Sequence, residues 1–366
     1  MTVSAWAARR GIAAAAVAAT TLSAAACSSS SSTSVHEKSP SAPVTSSTPS
    51  SGPTDLPAVT IGSNAQPPGT LPVTIGHLGP FGGNVATIAG HVWAAGGTGP
   101  HSTALLEVSP DGKTVVQKTV VPGLSPAEVP PFGVGNAIFL PASSKPNGNA
   151  DVYAVFDLHG HLLTTVHVPG AGTGSGGWVG TGPNTIAHVD PSGRHLGKTV
   201  TLPDLVVNNG MAFGGGSLWM ADLNEDKVLR LDATTGQVTG SVQMPGRWQP
   251  GGVTYGDGAL YVELDQIQSA TLTGILRVDP TTMRATARAI DARNVNTSIA
   301  FAPDGAMWVA TDVDTVVQLD PMTLVQKRAI QLVPDAGQPQ GESVAVGGGR
   351  LYFADVRTTL LYSFAL

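Results

Sequence analysis

An aromatic residue returns through this sequence at nearly even intervals: Trp93, Phe139, Trp178, Trp219, Tyr261, Trp308 and Tyr352, 39 to 47 residues apart. Similar signals surround each one. The clearest copy reads Gly214-Gly215-Gly216-Ser217-Leu218-Trp219-Met220-Ala221-Asp222, then Val228-Leu229-Arg230-Leu231-Asp232, then Thr235-Gly236. Others are Gly256-Asp257-Gly258-Ala259-Leu260-Tyr261 with Ile275 to Asp279-Pro280, and Pro303-Asp304-Gly305-Ala306-Met307-Trp308 with Val316 to Asp320-Pro321. Alternating apolar residues mark half-buried strands, and the Gly and Asp-Gly pairs mark tight hairpin turns. A repeat of this length with four strand signals matches one blade of a β-propeller. The expectation is an all-β propeller of seven blades, each with four antiparallel strands. The faintest unit, around Gly170 to Asn184, leaves six blades as the alternative count. The aromatics read as core, because each blade must fill the wedge against its neighbour with large apolar side chains.

The last unit ends at Leu366 without an outer strand. Val73-Thr74-Ile75-Gly76-His77, ahead of the first unit, can supply it and remove the free sheet edge at the seam. This places the propeller at 71–366.

The residues before it read differently. A positive start ending at Arg9-Arg10 precedes the Ala/Val-rich run 11–26, and small residues lead to Cys27, the only cysteine of the 366 residues. A charged flank, a short apolar run and small residues before a cut site mark a secretory signal peptide, here 1–26. Residues 27–70 are dominated by Ser, Thr and Pro. They lack apolar periodicity, which predicts a disordered stalk. The formal charge is −6, and Arg9 and Arg10 belong to the leader. That balance argues against nucleic acid as a partner and against a polybasic membrane-surface mode.

The Leu22-Ser23-Ala24-Ala25-Ala26-Cys27 run resembles the lipobox of bacterial lipoproteins, with Ala24 where that motif has Leu. The resemblance implies acylation of Cys27, hence membrane attachment at the extracytoplasmic face. The repeat unit resembles the NHL and streptogramin-lyase-like propeller superfamily, with YVTN-type surface propellers sharing parts of it. That superfamily includes lyases using late-blade histidines, a glutamate and a divalent cation. Here all nine histidines lie at or before His195, while Glu263 and Glu342 fall near the relevant face. No motif indicates a cofactor, and no catalytic residue is assigned. His159, His161 and His167 lack an established metal-ligand spacing. Asp222-Leu223-Asn224-Glu225-Asp226 begins like a calcium loop, but Lys227 stands where Gly is needed, so it reads as a polar inter-strand loop.

The remaining candidate is a binding face. In a propeller, the second-to-third-strand loops and those entering each inner strand gather round the channel mouth. There this sequence offers Asp222, Arg247, Trp248, Asp265, Arg293, Asn294, Asp312, Gln340, Glu342 and Asp355. Trp248, beside Arg247 in a Pro- and Gly-bounded loop, reads as either an exposed hot spot or a ring packed under the next blade. The mixed charge favours a hydrogen-bonding partner, an envelope protein or a glycan, over a phosphate-rich one.

Overall fold

The computed structural model describes residues 58–60, 73–77 and 84–366, apart from 100, 128, 147, 191, 203–209, 247, 267–272, 292–297, 312–314, 332–340 and 356–359. All lie in the unit Thr45–Leu366. They form seven antiparallel sheets, one per repeat, centred on the second strands that carry the seven aromatics. Blade 1 spans 84–122, blade 2 125–167, blade 3 174–201, blade 4 211–243, blade 5 248–291, blade 6 299–331 and blade 7 341–365 with 73–77. Inner strands of consecutive blades touch, and Gly341–Gly347 of blade 7 touches Asn84–Ile88 of blade 1, so the ring closes. The faint third unit is a full blade, although its inner strand is only Gly174–Ser175.

The seam forms as the sequence implies. Val73–His77 pairs antiparallel with Leu360–Ala365, Val73 opposite Ser363 and His77 opposite Leu360. Within the segment read as stalk, Ala58–Thr60 adds a fifth strand to blade 5. It runs parallel to the outer strand Ala285–Asp291, with Val59 opposite Ile290.

Packing explains the aromatic repeat. All seven rings are buried, at most 1 % exposed. On the inner strand the residue opposite is small in six blades: Ala86, Ser175, Ala212, Thr254, Ala300 and Ala345. In blade 2 it is Phe132, whose ring stacks on Phe139 at 5.6 Å. Small residues opposite large ones let neighbouring sheets close without voids. The rings reach the third-to-fourth-strand turn of the next blade. Trp178 Nε1 donates to Ala233 O at 2.7 Å, and Tyr261 OH donates to Pro321 O at 3.0 Å. Glycine is required where the ring arrives: a Cβ on Gly236, at φ +71°, would sit 2.9 Å from the Trp178 ring.

Those turns also explain the recurring Asp. Asp232 Oδ1 accepts from the Thr234 and Thr235 amides at 3.0 and 2.7 Å, and Asp320 Oδ1 from the Met322 and Thr323 amides at 3.0 and 2.9 Å. Asp157 and Asp279 do the same in blades 2 and 5. The Asp side chain mimics a backbone turn and satisfies amides that the hairpin leaves over. Such donors stabilise the ionised form, so these carboxyls lie below their usual range, Asp320 at about 2.

Candidate functional site

Among the described residues, the antiparallel order puts the first-to-second-strand and third-to-fourth-strand turns at one end of each blade, and the strand ends that lead into the second-to-third-strand loops and the inter-blade connections at the other. Asp222, Asp265 and Asp355 end, or nearly end, the second strands of blades 4, 5 and 7, so all three stand at that loop end. Glu342 joins them near the start of Gly341–Gly347, where Gly341 pairs with Asp355. Arg247, Arg293, Asn294, Asp312 and Gln340 lie outside the described residues.

Two candidates are interior. Trp248 opens the inner strand Trp248–Gly256 and is 2 % exposed, packed among Val242, Met244, Val253 and Leu264. The strand begins earlier than the Pro and Gly residues suggested. A bulge between Pro250 and Val253 accommodates them. The exposed-ring reading therefore gives way to the packed one. Asp222 is 0 % exposed. Its Oδ1 accepts from the Asn224 amide at 3.1 Å and the Glu225 amide at 3.4 Å, and Lys227 Nζ lies 3.7 Å from Oδ2. Gln243 Nε2 donates to Glu225 O and Asp226 O, tying the same loop to the outer strand. The calcium-like run is thus a hydrogen-bonded turn.

His159, His161 and His167 do not gather at one place. His159 and His161 share a turn, ring centroids 6.3 Å apart, with His161 Nδ1 3.0 Å from Asp157 Oδ2. His167 ends the strand they lead into, roughly 17 Å further on. Among the described residues no group of three or more His, Cys, Asp or Glu is placed to hold a metal ion.

Aligning the blades on their aromatics isolates one further side chain. Two residues after the ring, six blades carry Ala95, Pro141, Gly180, Ala221, Ala310 and Ala354, all buried; blade 5 carries Glu263, half-buried. The Gly252 amide donates to Glu263 Oε2 at 3.2 Å, and a Cβ on Gly252 would lie 2.8 Å from the carboxylate. Blade 5 thus makes room for a carboxylate where its sisters pack a small side chain. In blades 6 and 7 hydroxyls do comparable inner-strand work: Ser298 Oγ accepts from Val344 N at 3.1 Å, and Ser343 Oγ from Val85 N at 2.6 Å. The signal for Glu263 was present in the repeats as the one acid in a column of small residues.

Comparison with known proteins supports the fold. No protein-family model matches the sequence, and no curated protein matches it. Among solved structures, the chain is similar to the β-propeller domain of Cps50 (Swd1) from Myceliophteria thermophila, at a TM-score of 0.58 and 11 % identity over 81 % of this chain and 100 % of that one. It is also similar to KlHsv2 with loop 6CD replaced by a Gly-Ser linker, at 0.52 and 13 % over 81 % and 93 %. A third is BamB from Moraxella catarrhalis, at 0.51 and 11 % over 80 % and 84 %. The class is therefore a seven-bladed β-propeller. Identities this low carry the fold and nothing finer.

Proposed function

We propose that this chain is an exported lipoprotein whose propeller binds a polar envelope partner, a protein segment or a glycan, at its loop end. On this reading residues 1–26 direct export, Cys27 carries the acyl chain, and the stalk holds the propeller outside the membrane. The binding reading rests mainly on how the repeated chemistry is used. The aromatics fill the wedges and the turn aspartates bond their own amides, so these repeated features of the blade are structural. The polar residues that vary from blade to blade at the strand ends, Asp265, Glu342 and Asp355, stand toward the loop end. Loops and strand ends free of packing are where a rigid scaffold carries recognition. The likeness to NHL-type repeats remains a resemblance of the blade motif.

The test is capture by the immobilised full chain of envelope glycan fragments and envelope-protein peptides. Arg293→Ala and Asn294→Ala are expected to weaken capture about tenfold with the thermal midpoint unchanged, as for a hot-spot residue on a loop. Unchanged capture with a lowered midpoint refutes the loop end as the site. The anchor is read separately: Cys27→Ala should abolish acyl labelling and release the protein from membranes.

A further inference from the structure

Glu263 stands opposite a step that resets the start of blade 5's inner strand. Thr254 pairs with Tyr261 and Val253 with Val262, but next along the ladder Pro250 pairs with Leu264 and Trp248 with Gln266. Gly251 and Gly252 together therefore oppose the single residue Glu263, which makes a β-bulge. One extra residue reverses the alternation of side chains beyond it. In an unbroken ladder Trp248 would share a face with Thr254, six residues on. The bulge puts it on the face of Val253 instead. Both are buried there with Val262 and Leu264, against Trp219, Val242 and Met244 of blade 4.

A bulge leaves an amide out of the ladder, and that amide needs an acceptor. The Gly252 amide finds one in Glu263 Oε2 at 3.2 Å, the side chain across the bulge. A Cβ on Gly252 would lie 2.8 Å from the carboxylate, so the acid occupies the space that glycine leaves. The Ala, Gly and Pro side chains that other blades carry at this place offer no acceptor. Blade 7 makes a like step between Gly341 and Ser343, opposite Ala354 and Asp355, but only Gly341 lies beyond it. Blade 5 extends three paired residues past its bulge, Trp248 to Pro250.

Those three residues reach the loop end. Gln249 stands opposite Asp265, and its Nε2 donates to Leu223 O at 3.2 Å in the second-to-third-strand loop of blade 4. The extension thus ties that loop to the end of blade 5's second strand, Trp248 from the core and Gln249 from the rim. A recognition surface is as fixed as the strands that carry it.

We propose that Glu263 is the positioning residue of the loop-end site. Its carboxylate holds the bulge in register, and the bulge sets Trp248, Gln249 and Asp265 where a partner meets blades 4 and 5. Glu263 acts through the strand and makes no contact with the partner. The proposal rests on the loop-end reading above and names what keeps that surface in place.

The experiment reads amide hydrogen exchange of the full chain by mass, comparing peptides over 248–256 with peptides over 84–88 of blade 1. Glu263→Ala installs the residue most sister blades carry, and Glu263→Gln keeps an acceptor oxygen. The Ala variant should exchange about tenfold faster at 248–253, the effect of one unmet buried donor, with 84–88 unchanged. The Gln variant should follow the parent. Gly252→Ala keeps the carboxylate but drives it off the amide, and should loosen the same segment. Capture of the glycan fragments and peptides named above is measured in parallel, with Arg293→Ala as the reference for the site. Glu263→Ala should weaken capture severalfold, and Glu263→Gln should restore it. Exchange at 248–253 unchanged in both Ala variants overturns the hold on the bulge, as does a Gln variant as loose as the Ala one. A rise shared equally by 84–88 overturns positioning in favour of general stability. Capture weakened by Arg293→Ala but untouched by Glu263→Ala overturns the proposal and leaves the site standing. A local rise at 248–253 with capture indifferent to every variant overturns the loop-end reading and leaves the bulge assignment standing.

Discussion

Trp178 offers the sharpest test of whether the aromatic series is core or a ligand cage. Its ring is 0 % exposed, lies edge-on to His188 at 5.2 Å, and sends Nε1 to Ala233 O at 2.7 Å across the blade 3–blade 4 wedge. Trp178→Ala removes the wedge filler outright, a change that costs about 3–5 kcal/mol in well-packed interiors. Trp178→Phe keeps most of the ring but leaves a partly buried carbonyl without its donor and a small void, about 1.5–3 kcal/mol. At roughly 2 °C per kcal/mol for a domain of this size, the expected drops in midpoint are about 6–10 °C and 3–6 °C. Differential scanning calorimetry of the full chain measures both. A cage residue would behave oppositely, with ligand capture lost and the midpoint held. If Trp178→Ala lowers the midpoint by less than about 2 °C, the wedge-packing account of the repeat fails.

Other outcomes follow from the same geometry. The turn carboxyls of Asp111, Asp157, Asp190, Asp232, Asp279 and Asp320 all lie below the ordinary value in the folded state. Their contribution is complete above the unfolded carboxyl value and is lost as pH falls through the folded ones, so the midpoint should hold down to about pH 4 and fall from there toward pH 2. A flat profile over that range in an acid titration by circular dichroism would contradict the turn-cap assignment. Gly214→Ala puts a Cβ 2.0 Å from the Tyr255 ring, whereas Gly216→Ala meets nothing within 4 Å and strains only its φ of +74°. The first should cost about 1–3 kcal/mol and the second about 1 kcal/mol, compared by urea unfolding. Deleting 71–77 strips the outer strand from Leu360–Ala365, and light scattering should then report aggregation through the exposed edge.

The fold was legible because a propeller repeats its physics. Each blade needs one large ring, most set a small residue opposite it and close the outer hairpin with an Asp, and those needs recur in the sequence at intervals of 39 to 47 residues. Even the seam could be read, since the last copy lacked a strand that residues 73–77 supplied. Trp248 shows where local reading stops. Pro245-Gly246-Arg247-Trp248-Gln249-Pro250 has the composition of a loop, yet pairing of Trp248 with Gln266 extends the inner strand through it and turns the ring inward. Composition carries turn propensity, and a bulge lets tertiary pairing override it. Ala58–Thr60 escaped for the converse reason: three residues in a Ser/Thr/Pro-rich stretch are too few for periodicity to register, and their partner strand lies over 220 residues away.

The candidate sites were less legible because binding residues have no period of their own. The structure supplies what a single sequence lacks, a register in which seven copies can be laid over one another. In that register, shared residues answer to packing, and a departure from the shared chemistry asks for another cause. Glu263 departs inside a wedge, where a charge costs more than the Ala, Gly or Pro its sisters carry and where a Cβ on Gly252 would meet the carboxylate. Met322 and Val325 depart on the surface, where apolar side chains gain nothing from the fold. The first lies mid-strand in blade 5 and the second on a turn of blade 6. Exchanging each odd residue for the one its sister blades carry, and measuring stability, separates what packing asks of that place from any other cause.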